Sequence, residues 1–118
     1  MTDEHSFVDV VDDIKQIDFQ AGKPGEDYKY KAYIPKDIWN KWRPEKMLQR
    51  GDYKTITFGS QGYQHYKDRI KEWSNLDHKD KKRREKYRAR HEKIKVKDGR
   101  YSYQVPFTSE FFSYYFLW

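Results

Sequence analysis

The feature that most constrains this chain is its carboxyl-terminal segment, residues 107–118, in which seven of twelve residues are aromatic. The segment follows a stretch, residues 79–100, that holds twelve Lys or Arg against four Asp or Glu. Each aromatic side chain that is buried removes about 150–250 Å² from water. These rings must therefore be covered, either by the rest of the chain or by another molecule.

The composition leaves little ordinary material for a hydrophobic core. Leu, Ile, Val and Phe total 22 of 118 residues, while 37% of the residues are charged and the net charge is +6. Such a balance lies close to that of chains that do not fold alone. We therefore expect order to come from aromatic burial, partly within the chain and partly against neighbouring molecules.

The distribution of charge divides a single small domain, residues 1–118, into four parts. Residues 1–27 are an acidic helix or arm, residues 28–77 an aromatic-rich middle, residues 78–100 a basic helix and residues 101–118 an aromatic anchor. The chain has no cysteine, which fits a reducing compartment. It has no apolar stretch of the roughly 20 residues that a membrane span needs, so no transmembrane segment is predicted.

Hydrophobic periodicity predicts both helices and strands. Alternation predicts a strand over residues 28–34, and β-branched and aromatic content predicts another over 53–58. Helical spacing predicts helices over residues 6–17, 63–73 and 78–97. A short helix is predicted after Pro35, a short strand at 101–105 and a final helix from Ser109. Thr108 is the predicted cap of the final helix, and Ser6 and Asp77 are the predicted caps of the helices over 6–17 and 78–97. The predicted fold class is α+β: small, predominantly helical, with one or two short strand pairs and extended arms.

The basic helix is the first candidate for a binding site. Its cations suit phosphates or an acidic protein surface. Residues 79–97 contain no Asn or Gln, so any binding to nucleic acid is predicted to be largely independent of sequence. A helix that is merely solvated remains an alternative. The predicted binding residues are Lys82, Arg83, Arg84, Arg88 and Arg90.

The aromatic residues are the second candidate, as a protein interface. Large rings and arginines dominate the energetics of many interfaces. The same rings could equally form the core of this chain, and the sequence leaves both possibilities open. The predicted interface residues are Trp39, Trp42, Phe111, Tyr115 and Trp118.

Catalytic and metal-binding signals are weak. Residues 91–98 match the pattern H-x-K-x4-D of phosphodiesterases that use a nucleophilic His, but that chemistry needs two such His residues on strands, and His91 falls in a predicted helix. The four His residues do not have metal-ligand spacing. Gly59–Gly62 could cradle a phosphate, although a structural turn is the favoured interpretation. We therefore predict no enzyme activity, no cofactor, no metal and no small-molecule substrate.

A set of short motifs is spread over residues 57–118. They are Phe58-Gly59-Ser60-Gln61-Gly62, Tyr66, His78-Lys79-Asp80, Arg83-Arg84, Tyr87, Arg90-His91, Thr108, Phe111-Phe112-Ser113 and Leu117-Trp118. This half of the chain resembles a small family from nucleocytoplasmic large DNA viruses, the giant viruses of algae and amoebae, whose pattern is F-G-S-x-G, Y, H-K-D, R-(K/R)-x-x-Y-x-x-R-H, T-A-G-F-x-S and L-W. Ser109-Glu110 stands where the family has Ala-Gly. The family has no established activity, so the resemblance implies a viral setting alone.

These observations lead to two expected functions. The first is a non-enzymatic virion protein, a minor capsid or cement component that docks on other capsid proteins, found in the virion and in the host cytoplasm during assembly. The alternative is a sequence-nonspecific nucleic-acid-binding protein that uses the basic helix of residues 79–97. The two functions differ in whether the aromatic rings or the cations make the main contacts with the partner.

Overall fold

The computed structural model of the chain describes residues 7–118, with side chains from residue 10 onward. This part of the chain forms four α-helices, three strands and three short 3-10 turns. The helices are α1 (Phe7–Ile14), α2 (Lys36–Trp42), α3 (Lys81–His91) and α4 (Ser109–Phe116). The strands are β1 (Asp18–Ala21), β2 (Tyr28–Pro35) and β3 (Tyr53–Ser60), and the 3-10 turns are Pro44–Lys46, Ser74–Leu76 and Ser102–Gln104.

The three strands form one antiparallel sheet in the order β1-β2-β3. Tyr30, Ala32 and Ile34 of the central strand point to one face and are fully buried, as the alternation of β2 predicted. The same alternation predicts that Lys29 lies on the opposite, exposed face of the strand, which is wrong because its side chain is only 2% exposed. Its ammonium group is accommodated by hydrogen-bond acceptors from the segment that follows β3.

The aromatic carboxyl-terminal segment forms the centre of the core. The rings of Phe58 and Phe112 stack with their centroids 5.1 Å apart, and the rings of Phe107 and Phe112 stack at 5.7 Å. Thr108 caps α4 through a hydrogen bond from the Phe111 amide to its hydroxyl, which confirms the predicted cap. The rings of this segment are thus largely covered by the sheet and by each other.

The prediction of a predominantly helical chain with extended arms is wrong. The described residues form a small compact α+β domain in which the sheet organises the core. Its Cα radius of gyration, 14.6 Å, is close to the roughly 13.5 Å expected for a compact chain of this length. The arm predicted for residues 1–27 instead supplies β1, which pairs with β2. No helix among residues 7–118 has the length and apolar composition that crossing a membrane requires.

The helix predicted over residues 63–73 is absent from the structure. Asp68, which is 1% exposed, holds this segment in an irregular path. Its carboxylate accepts hydrogen bonds from the backbone amides of Ile70, Lys71 and Trp73 and from the hydroxyl of Tyr30. A buried carboxylate that binds the local amides competes directly with helix hydrogen bonds.

Other element boundaries also differ from the prediction. The basic helix spans Lys81–His91 instead of residues 78–97, and Asp80 is its N-cap in place of Asp77. Residues 101–105, predicted as a strand, contain an isolated bridge at Tyr101 and a 3-10 turn. The first helix is described from Phe7 onward, and the predicted cap at Ser6 lies outside the described residues.

Candidate functional site

The basic helix α3 is fixed at its start by Asp80. The Asp80 carboxylate accepts hydrogen bonds from the backbone amides of Lys82 and Arg83, at 3.0 and 3.3 Å. It thereby satisfies donors that a helix start leaves unpaired, and its negative charge suits the positive end of the helix dipole. α3 has no fully buried side chain of its own, so it must be held to the domain by other means.

One side of α3 is attached by stacked rings. Tyr87 lies between Trp118, at a centroid distance of 4.0 Å, and His91, at 3.9 Å. Burial raises the pKa of Tyr87 to about 12. His78 packs against the indole of Trp118 at 5.2 Å. This side of the helix is therefore anchored in an aromatic cluster at the end of α4.

Two of the arginines predicted to bind a partner belong to this attachment. The guanidinium group of Arg84 lies 4.7 Å from the ring centre of Tyr66. Arg88 lies 4.7 Å from the ring centre of Tyr114 and donates a hydrogen bond to the carbonyl oxygen of Trp118. Both side chains are half-buried. In this fold both pack against the domain and help to dock α3, and they are less exposed than Arg83 and Arg90.

The adjacent side of α3, which shares Tyr87 with the attached side, forms a wall of a cleft with a volume of about 610 Å³. The end of β3 and the turn after it form the second wall, and the end of α4 forms the third wall. Lys29 lines the cleft from β2. The lining residues are Lys29, Gly59, Ser60, Tyr63, Gln64, Arg83, Lys86, Tyr87, Arg90, Ser113, Leu117 and Trp118.

The cleft carries positive charge without compensation. Arg83, Lys86 and Arg90 all line it, because positions three, four and seven apart share one side of a helix. Among the described residues, the lining contains no Asp or Glu, and no Lys or Arg of α3 forms an ion pair with an Asp or Glu side chain. Arg83 donates a hydrogen bond to the neutral amide oxygen of Gln64 at 3.0 Å. The arrangement suits an anion.

A buried chain of polar groups lies beside the cleft. The ammonium group of Lys29 donates to the carbonyl oxygen of Tyr63 at 2.7 Å and lies 2.8 Å from Nδ1 of His65. Nε2 of His65 lies 2.5 Å from the carboxylate of Asp77. Burial lowers the pKa of Lys29 to about 8, against the opposing effect of the charges on Asp68 and Asp77.

The same series of hydrogen-bonded groups determines the protonation state of His65. Burial lowers the pKa of His65, and the neighbouring charge of Lys29 lowers it further. A neutral imidazole then donates from Nε2 to Asp77 and accepts at Nδ1 from Lys29. These hydrogen bonds tie the segment after β3 to the central strand, and thereby fix the second wall of the cleft.

Gly59 allows the third wall of the cleft, the end of α4, to pack closely against β3. Its φ of 75° lies in the left-handed region, and an added Cβ would stand 2.9 Å from Cδ1 of Leu117 and 3.1 Å from Cβ of Lys29. The glycine is therefore required for close packing of β3 against α4. The phosphate cradle considered for Gly59–Gly62 also required a following helix, and residues 63–73 form none.

The predicted interface aromatics are mainly core residues. Trp39 and Phe111 are each 2% exposed, and Trp42 is also buried. The indole nitrogens of Trp39 and Trp42 donate to the Lys46 carbonyl and to the Asp13 carboxylate. Tyr115 and Trp118 are half-buried and pack against the core. The structure therefore does not present Trp39, Trp42 or Phe111 to a partner.

The predicted cations divide between two roles. Arg83 and Arg90 line the cleft, Arg84 and Arg88 dock the helix, and Lys82 is exposed outside the lining. The prediction omitted Lys86, although its spacing from Arg83 and Arg90 could have identified it. It also omitted Lys29 and Tyr63, which no local pattern connects to α3. The structure brings these residues together from three separate segments.

The weak catalytic and metal signals find no support in the geometry. His91 is the last residue of α3 and stacks on Tyr87, whereas the phosphodiesterase pattern needs its His on a strand. Within residues 7–118, no group of three His, Asp or Glu side chains is arranged to hold a metal ion.

Comparison of this chain with protein-family models, with curated proteins and with solved structures finds no match. The viral resemblance therefore stays a prediction. The positions that carry it are brought together by the fold. His78 packs against Tyr66 and Trp118, and Tyr87 stacks on Trp118 and His91. In this chain, they build the support for α3.

Proposed function

We propose that this protein binds nucleic acid through its phosphates, with little dependence on base sequence, and that the cleft side of α3 is the contact surface. The observation that carries the proposal is that the cations of α3 fall into two groups, one that docks the helix and one that faces the cleft. Arg84 and Arg88 are engaged in docking the helix, while Arg83, Lys86 and Arg90 face an open cleft that has no Asp or Glu among its described lining residues.

The chemistry of the cleft supports phosphate as the ligand group. Arginine offers a planar set of donors that matches phosphate oxygens, and lysine adds a point charge. The hydroxyl groups of Ser60 and Ser113 also line the cleft. Arginine can also read guanine, and Asn or Gln reads adenine, when the group is directed at a base edge; here the guanidinium groups of Arg83 and Arg90 are assigned to phosphates. The single amide side chain of the lining, Gln64, already accepts a hydrogen bond from Arg83.

The burial of the aromatic anchors favours phosphate binding over the minor-capsid function. The latter function depended on aromatic anchors that insert into neighbouring proteins, and three of the five named anchors lie in the core of this chain. A location in the virion remains a prediction, since a phosphate-binding protein can be packaged beside a genome. The proposed role is binding, and no reaction is assigned to it.

The experiment that tests the proposal is fluorescence anisotropy with two labelled oligonucleotides of unrelated sequence. The intact chain is expected to bind both with similar affinity. The triple variant Arg83→Ala, Lys86→Ala, Arg90→Ala is expected to bind both at least about 10-fold more weakly, because each neutralised phosphate contributes through counterion release. Alanine is a good helix former, so α3 should persist, which circular dichroism verifies.

A matched control removes the same charge elsewhere. Lys15, Lys46 and Lys67 are exposed and do not line the cleft. Their simultaneous replacement by Ala lowers the net charge by the same three units, and the affinity should fall much less. Equal losses in the two triple variants would show that net charge alone drives binding. An absence of binding by the intact chain would reject the proposal.

A further inference from the structure

Tyr63 has an unusual combination of a fixed backbone and a free ring. Its amide donates to the carbonyl oxygen of Ser60 at 3.2 Å, and its carbonyl oxygen accepts from the Lys29 ammonium at 2.7 Å. The residue is nevertheless 74% exposed, the largest exposure among the described large hydrophobic residues. No contact between its ring and another aromatic ring or a cation is found among the described residues.

The anchoring of Tyr63 is buried and well supported. Lys29 is held by His65, which is itself held by Asp77. The position of the ring is thus set by a network that reaches into the centre of the domain, although the ring contributes little to the core. A single exposed aromatic residue is ordinary on a protein surface. Tyr63 differs because it lines the cleft that also contains Arg83, Lys86 and Arg90.

A ring beside cations fits one class of ligand in particular. Proteins that bind single-stranded nucleic acid combine a positively charged groove with aromatic side chains on which unpaired bases stack. From this geometry we infer that the protein prefers single-stranded to duplex nucleic acid. An unpaired base stacks on Tyr63, and an adjacent phosphate contacts Arg83, Lys86 or Arg90. This inference rests on the proposed function and adds the form of nucleic acid that is bound.

The shape of the cleft supports the same choice. Its volume of about 610 Å³ lies within the range of about 300–1,000 Å³ that is typical of sites for small ligands. A duplex keeps its bases stacked inside a convex cylinder, so its phosphates reach only the rim. A single strand is flexible and can place a whole nucleotide in the concavity. Both faces of Tyr87 are already covered, by His91 and by Trp118. Trp118, the third ring of the lining, is half-buried and uses one face on Tyr87, so Tyr63 is the most exposed ring of the cleft.

The test compares a labelled single strand of about 15 nucleotides, a length that spans known single-strand sites, with the duplex of the same sequence. The intact chain is expected to bind the single strand at least about 10-fold more tightly. Tyr63→Ala is expected to weaken single-strand binding by about 10-fold, which is within the effect of removing one base–aromatic stack. The same substitution should leave the weaker duplex affinity nearly unchanged.

Two further variants separate stacking from other effects. Tyr63→Phe keeps the ring and should restore single-strand affinity. Tyr53→Ala removes another exposed tyrosine, at the opposite end of β3 and outside the cleft lining, and should have no effect. Equal affinity for both forms, or equal effects of Tyr63→Ala and Tyr53→Ala, would overturn this inference.

The outcomes also distinguish this inference from the proposed function. If neither form binds, both fail together. If both forms bind equally and the triple variant of Arg83, Lys86 and Arg90 binds neither, then phosphate binding stands and the single-strand preference is wrong.

Discussion

The rings of Tyr87 and Trp118 lie parallel, with an angle of 4° between their planes and 4.0 Å between their centroids. This contact joins α3, which buries no side chain fully, to the end of the aromatic helix α4. The cationic helix and the aromatic segment are therefore one structural unit. The position of the charges over the cleft depends on this stack.

Removing the indole should detach α3 in part. We expect Trp118→Ala to lower the free energy of unfolding by about 2 kcal/mol, less than for a fully buried ring because Trp118 is half-buried. Trp118→Phe retains a ring over Tyr87 and should cost less than half as much. Urea denaturation measures both values. Unchanged stability in Trp118→Ala would mean that the stack does not hold the helix.

The close approach of β3 to α4 predicts a contrast between two glycines. Gly59→Ala should lower the free energy of unfolding by about 3 kcal/mol, since it combines a left-handed backbone with a clash against Leu117 and Lys29. Gly25 also has a positive φ, but nothing lies within 4 Å of an added Cβ, so Gly25→Ala should cost about 1 kcal/mol. Similar losses at the two positions in urea denaturation would contradict the packing role of Gly59.

The elements that the sequence predicted well are those with local determinants. The alternation of Tyr30, Ala32 and Ile34 set the buried face of β2, and Thr108 fixed the start of α4. Both signals act within a few residues and do not depend on the rest of the fold. The prediction failed where a distant partner decides the structure. Tyr30 and Asp68 are 38 positions apart, yet their contact helps to prevent a helix after residue 62.

The residues of the candidate site also divide into those with a local sequence signal and those placed by distant contacts. The basic character of α3 was evident, but nothing local distinguished Arg83, which lines the cleft, from Arg84, which packs on Tyr66. The burial of Lys29 could not be predicted either, because its acceptors come from residues 63–65. The low content of aliphatic residues suggested a chain that needs partners, whereas stacked rings such as Phe58 and Phe112 supply the core.

Buried histidines predict acid sensitivity. Burial lowers the pKa of His65, His78 and His91 below the ordinary value of 6.5. The unfolded chain therefore binds more protons than the folded chain just below pH 6.5, and the free energy of unfolding should fall as the pH falls from 7 to 5. The groups that face His65 are Lys29, Asp68 and Asp77, and the charge of Lys29 acts in the same direction as burial.

The contribution of His65 can be isolated with His65→Gln. The amide can replace both hydrogen bonds and does not titrate, so the dependence of stability on pH between 7 and 5 should become shallower. Between pH 7 and 8, where neutral histidines dominate in both states, the variant and the intact chain should differ by a constant amount. Urea denaturation at each pH provides the values. Parallel curves down to pH 5 would show that His65 does not titrate on unfolding.

The N-cap of α3 predicts a modest and specific effect. Asp80→Ala removes the acceptor of the Lys82 and Arg83 amides and should lower the free energy of unfolding by about 1 kcal/mol. Asp80→Asn keeps a capping oxygen and should retain most of the stability. Thermal or urea denaturation followed by circular dichroism compares the two. Equal effects of both substitutions would attribute the role of Asp80 to its charge instead of its hydrogen bonds.

The dependence of nucleic-acid affinity on salt is the most direct test of the central claim, that Arg83, Lys86 and Arg90 contact phosphates. Three phosphate contacts predict that the logarithm of the binding constant for a single strand falls against the logarithm of the salt concentration with a slope of about −2. The triple Ala variant should lose most of that slope together with its affinity, while the control triple at Lys15, Lys46 and Lys67 should keep both. Binding that does not depend on salt, or a triple variant of Arg83, Lys86 and Arg90 with unchanged affinity and slope, would contradict the account.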